Sequence, residues 1–117
     1  MSGITTHVLD TMRGRPAAGV AVSLARKSGN GWTELAAAST DAGGRVGNLL
    51  PQVKDPAGTY RLRFEVGAYF AAQGAGAGAD AAPFYPYVEI VFQIRDVEHY
   101  HVPLLVSPFG YTTYRGS

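Results

Sequence analysis

Cysteine is absent from this chain of 117 residues. That removes disulfides, thiolate nucleophiles and thiolate-bound zinc together, and leaves the redox compartment open. Charge of either sign is also scarce. Lys and Arg number 10 against 9 Asp and Glu, a formal net charge of +1, which offers neither nucleic acid nor an anionic membrane a reason to bind. Long apolar runs are missing too: no stretch nears the roughly 20 residues needed to span a bilayer. The opening Met1-Ser2-Gly3-Ile4-Thr5-Thr6-His7 has neither a basic start nor an apolar core, so no signal peptide is expected. These absences lead to the expectation of a soluble, cytoplasmic protein.

What the chain has in quantity is Gly, 15 residues, and Pro, seven, in a sequence that is 46% hydrophobic. The length suits a single domain over 1–117, burying roughly two-thirds of the surface of its unfolded chain. So many turn formers point to an all-β fold. Ile4–Leu9, Val20–Arg26 and Trp32–Ser39 read as strands, the last two joined by a hairpin turn at Ser28-Gly29-Asn30-Gly31. Arg13-Gly14-Arg15-Pro16 is a turn, and Thr40 to Arg45 is another that projects Arg45 and opens a short strand to Leu49. Thr59–Val66 is the clearest strand, with Tyr60, Leu62, Phe64 and Val66 on one face and Arg61, Arg63 and Glu65 on the other. Ala68–Gln73 predicts one short helix stopped by Gly74. Ala75 to Ala82 is a low-complexity run of small residues expected to form a mobile loop. Val88–Ile94, Glu98–Val106 and Tyr111–Ser117 complete an antiparallel β-sandwich of about eight strands.

Three stretches carry chemistry. Side chains alternate along a strand, so His99 and His101 share one side while Tyr100 and Val102 take the other. Arg45 follows a Gly pair in its turn. The last four residues, Tyr114-Arg115-Gly116-Ser117, hold a phenol, a guanidinium, a residue permitting close backbone approach and a hydroxyl. Taken one by one these have bland readings. A strand histidine is more often satisfied or solvated than catalytic, and a turn arginine is usually solvated.

The order and spacing of several segments changes that weighting. Thr6-His7-Val8-Leu9-Asp10, Gly14-Arg15-Pro16-Ala17, Thr40-Asp41 with Gly44-Arg45, Pro83-Phe84-Tyr85-Pro86, His99 to Leu105 and the final Tyr-Arg-Gly-Ser together resemble the 5-hydroxyisourate hydrolases, the enzymatic relatives of transthyretin. The resemblance covers nearly the whole chain. It implies a transthyretin-like sandwich assembled as a homotetramer, a dimer of dimers with active sites in the channel between dimers. It implies hydrolysis of 5-hydroxyisourate to 2-oxo-4-hydroxy-4-carboxy-5-ureidoimidazoline in urate degradation, by water attack on a cyclic amide. It also implies His7, Arg45, His101 and Ser117 as catalytic residues, Tyr114, Arg115 and Gly116 around the substrate, and no cofactor. Two imidazoles suit such a hydrolysis, one accepting the proton of water and the other holding the substrate or donating a proton. A guanidinium suits an oxygen-rich anionic ring. Ser117 offers a hydroxyl and, where the chain ends on it, a carboxylate; no Ser-His-Asp framework makes it an acyl-enzyme nucleophile. His99 takes the structural reading. Gly43 stands where relatives often carry an acidic residue, which predicts a looser turn before Arg45.

Three rival classes stay open at the level of sequence. A carrier of this fold would hold a small aromatic ligand in the intersubunit channel without turnover, yet it has no use for His101 or a polar tetrapeptide. His7, His99 and His101 could supply three nitrogens to zinc, but no carboxylate or thiolate accompanies them at ligand spacing. A monomeric interaction domain would leave the apolar strands near the sheet edges unexplained.

Overall fold

Residue alternation lays out the sheets. In β6 (Gly58–Phe64) Tyr60, Leu62 and Phe64 are fully buried, and Arg61 and Arg63 between them stay partly exposed. The structure, a computed structural model, describes residues 3–73 and 83–116. Its other strands are β1 (Gly3–Asp10), β2 (Arg15–Pro16), β3 (Ala21–Ser28), β4 (Gly31–Ser39), β5 (Arg45–Val46), β7 (Val88–Ile94), β8 (His99–Ser107) and β9 (Gly110–Thr113). One helix, α1 (Val66–Gln73), follows β6. It begins at Val66, which the alternation had assigned to the strand end. The run from Ala75 to Ala82 and residue Ser117 lie outside the described residues.

Two sheets face each other, as the strand pattern predicts. One runs β4-β3-β6-β7; the other runs β2-β1-β8-β9, with β5 also on β1. Ile4, Val8, Leu24, Leu62 and Leu104 are wholly inaccessible and fill the space between them. Pairing is antiparallel with one exception among the described residues: β1 and β8 run parallel, Gly3 opposite His99 through Asp10 opposite Val106. Hairpins enforce antiparallel neighbours, whereas these two strands are joined by most of the chain and are free of that constraint. The free edge of β1 is covered by the two-residue strands β2 and β5, pairing at Leu9↔Pro16 and His7↔Arg45. Strands β7 and β9 end their sheets.

The last strand is shorter than the sequence suggests. Tyr111–Ser117 was the expected span, but the ladder from β8 to β9 stops at Leu104↔Thr113 and resumes as a single bridge, His101↔Gly116, in the same register. Gly116 donates its N–H to the carbonyl of His101 at 2.7 Å, and hydrogen-bonded pairs recur at every second residue of an antiparallel ladder. The next such pair sets Pro103 against Tyr114, and Pro103 has no N–H to give. Its carbonyl accepts instead from the Thr113 hydroxyl at 2.8 Å. A proline on one strand thus opens the ladder of its neighbour.

Candidate active site

Along β1 the residues Ile4, Thr6, Val8 and Asp10 turn inward, which sends Thr5 and His7 to the outer face of the sheet. The parallel register sets Thr5 beside His101, and the antiparallel register with β5 sets His7 beside Arg45. Residues opposite one another share a face. Thr5, His7, Arg45, His99 and His101 therefore occupy one outer surface. A concavity of about 460 Å³ lies over it, lined by Thr5, Asp41, Arg45, His99 and His101 together with neighbouring backbone.

The turn that delivers Arg45 is tied down rather than loose. The Asp41 carboxylate accepts the N–H groups of Gly43 and Arg45, each at 2.9 Å, and its carbonyl accepts that of Gly44 at 2.9 Å. Asp41 closes the loop within itself, so an acid at position 43 is not needed for order. Gly44 has φ 76° and its carbonyl accepts the Val8 N–H at 2.7 Å. A β-carbon there would run into the Val8 carbonyl. Only glycine combines that backbone angle with that approach to β1, and so fixes where Arg45 begins.

The histidines are held unequally. Thr5 Oγ1 lies 2.8 Å from both His99 Nε2 and His101 Nδ1. His99 is exposed, whereas His101 is half-buried. Burial lowers the His101 pKa below the ordinary 6.5, the nearby His7, His99 and Arg45 lower it further, and a hydrogen bond at Thr5 acts the other way. The His101 ring is accordingly neutral at pH 7 and can accept a proton. His7 Nε2 is buried without a hydrogen-bond partner among the described residues.

The tail reaches this face. A β-carbon on Gly116 would lie 2.6 Å from Cδ2 of His101, so the backbone of residue 116 rests directly on the imidazole. Tyr114 is exposed. Arg115 is not brought to the histidines. Its guanidinium lies 4.3 Å from the centre of the Tyr100 ring and 3.7 Å from Glu98 Oε2. There it lines a second cavity, about 310 Å³, with Ile90, Phe92, Tyr100 and Val102. Of the residues named from sequence, His7, Arg45, His101 and Gly116 converge, Tyr114 and Arg115 line the second cavity instead, and Ser117 falls outside the described residues. Thr5 was missed. No local signal marks it, because the register linking it to His101 joins positions at opposite ends of the chain.

The chain is similar to known proteins over nearly its whole length. The profile of the HIUase/Transthyretin family matches residues 4–116. A 5-hydroxyisourate hydrolase of Halalkalibacterium halodurans is 51% identical over 121 aligned residues, covering 100% of both chains. Among solved structures, the Klebsiella pneumoniae 5-hydroxyisourate hydrolase superposes with a TM-score of 0.83 at 39% identity, covering 100% of both chains. Sea bream transthyretin in complex with thyroxine superposes with a TM-score of 0.86 at 37% identity, covering 97% of this chain and 94% of that one.

Proposed function

We infer, because this chain belongs to the HIUase/Transthyretin family, that it is an enzyme of the hydrolase branch. It opens 5-hydroxyisourate to 2-oxo-4-hydroxy-4-carboxy-5-ureidoimidazoline by adding water to a cyclic amide. The observation that carries this choice over the thyroxine-binding branch is the backbone of Gly116 seated on the neutral His101 ring, on the face shared with His7 and Arg45. A channel that only bound an aromatic ligand would gain nothing from a proton acceptor walled by a polar tail.

In the proposed mechanism His101 is the general base. Its Nδ1 is engaged by Thr5, which leaves Nε2 to take the proton of the attacking water. His7 donates to or holds the substrate, and Arg45 balances the negative charge that develops on the amide oxygen. Gly116 and Ser117 shape and hold the substrate end of the pocket, and Tyr114 borders the second cavity beside Arg115. Arg115 contributes by anchoring the tail from the far side.

A cytoplasmic homotetramer is the assembly we propose. Strands β7 and β9 each leave one edge unpaired, and such edges invite pairing with a second copy. Stacking two such dimers would bring the histidine-bearing faces together around a shared channel.

Mixing the protein with freshly oxidised urate and following the ultraviolet decay of the intermediate tests the activity. Acceleration is expected, with His7→Ala and His101→Ala each slowing turnover about a hundredfold or more. A wild-type protein that leaves the decay at its spontaneous rate would overturn the reading.

A further inference from the structure

Thr5 has one hydroxyl proton and two imidazole nitrogens at 2.8 Å. A hydroxyl donates one hydrogen bond, so one of the two rings must itself donate to Thr5. Two arrangements satisfy this. In one, His101 Nδ1–H donates to Thr5 Oγ1 and the Thr5 hydroxyl donates to His99 Nε2, which leaves His101 Nε2 bare. In the other, the protons run the opposite way and His101 Nε2 carries the hydrogen. The first makes His101 a base and the second makes it an acid, with the ring neutral in both.

We propose that Thr5 and His99 form a proton relay behind His101, switching it between these two forms during the reaction. The proposal rests on the hydrolase reading and extends it to two residues of the same concavity, Thr5 and His99, that the mechanism above leaves without a part in proton transfer. As water attacks, its O–H bond breaks, its oxygen bonds to the amide carbon and its proton goes to His101 Nε2. The proton on His101 Nδ1 passes to Thr5 Oγ1 while the hydroxyl proton of Thr5 passes to His99 Nε2. His101 is then neutral with its hydrogen on Nε2. When the carbon–nitrogen bond breaks, that hydrogen goes to the departing amide nitrogen, and the relay runs back from His99 through Thr5 to His101 Nδ1. One water proton has moved to the leaving nitrogen and all three side chains are restored.

The relay answers an electrostatic problem of this site. The groups facing His101 are His7 from β1, Arg45 and Asp41 from β5 and the turn before it, and His99 from its own strand; Gly116 of the tail brings no charge. An imidazolium on the half-buried ring beside Arg45 is costly. On the exposed His99 the same charge is solvated. Thr5 and His99 are thus positioning residues that set the tautomer of His101, a second role for His99 beside the structural one its sequence context suggests.

The test reads the nitrogen-15 shifts of the imidazoles in the substrate-free protein across pH, beside the pH profiles of kcat and KM. In the wild type, protonating His99 is expected to move the His101 hydrogen from Nδ1 to Nε2. Thr5→Val should uncouple the two titrations and lower kcat about tenfold or more with little change in KM, and Thr5→Ser should restore both. His99→Gln, at an exposed position that does not threaten folding, can still hydrogen-bond Thr5 but cannot take a proton. It should lower kcat comparably at unchanged KM. Independent titration of His99 and His101 in the wild type, or kcat profiles unmoved by Thr5→Val and His99→Gln, would overturn the relay. Coupled nitrogen shifts in a protein without hydrolase activity would instead leave the relay standing and remove the assigned reaction.

Discussion

At position 116 a β-carbon would stand 2.6 Å from Cδ2 of His101 and 3.3 Å from its carbonyl oxygen, closer than packed carbon atoms come. Gly116→Ala must therefore displace either the tail or the imidazole. A misplacement of about an ångström costs roughly a hundredfold in rate, so kcat/KM for this variant should fall by about that factor. The thermal midpoint should barely move, because the bridge at His101 is the last strand pairing among the described residues; calorimetry beside the ultraviolet assay checks both. Hydrogen bonding at the histidines also bears on metal. His101 Nδ1 and His99 Nε2 both meet Thr5 Oγ1, so a metal bound through these two nitrogens would have to displace that hydroxyl and break both hydrogen bonds. Turnover is expected to survive exhaustive chelation, and activity lost in chelator and restored by zinc would count against this. Alternation alone foretold that His99 and His101 share a side. It could not foretell that a threonine links them, since register between distant strands leaves no trace in local spacing.

Elements show the same division between what local pattern reveals and what it hides. The run Tyr60, Leu62, Phe64 announced β6 because burial on one face imposes a period of two. The early end of β9 was hidden, because its cause is Pro103 on the neighbouring strand and not any residue of its own. The helix is a third case: its composition marked it, but its docking depends on a distant carboxylate. Asp10 is wholly buried, accepts the N–H groups of Met12 and Arg13 at 3.0 and 3.1 Å, and accepts the Tyr69 hydroxyl at 2.9 Å. Burial first and the Asp10 hydrogen bond second push the Tyr69 pKa from 10.0 to about 12. A phenol whose pKa is raised on folding adds stability in full below its unfolded value of 10.0, and that contribution fades as pH rises towards 12. The unfolding free energy should therefore drop across this alkaline window in the wild type. Tyr69→Phe should show a smaller drop, the buried Tyr60 phenol, whose pKa burial also raises, supplying the remainder. It should be less stable at neutral pH by about 1–3 kcal/mol, the usual cost of leaving a buried partner unsatisfied. Urea titrations at neutral and alkaline pH measure the difference.

For the whole molecule the prediction concerns assembly. Strands β7 and β9 are among the sheet edges left open in the single chain, and light scattering at micromolar concentration should return a mass four times the 12.4 kDa of one chain. A stable, active monomer would refute the tetramer while leaving the chemistry of each site intact. The parallel partnership of β1 and β8 has a different kind of consequence. Contacts between remote parts of a chain form late, because the entropy of closing a long loop is lost before any pairing rewards it. His7 lies on β1 and His101 on β8, so a growing chain carries His7 unmatched until β8 has been made. The tail that rests on His101 is made later still. A fragment that holds only one of the strands β1 and β8 therefore lacks either His7 or His101, and with it half of the site's chemistry.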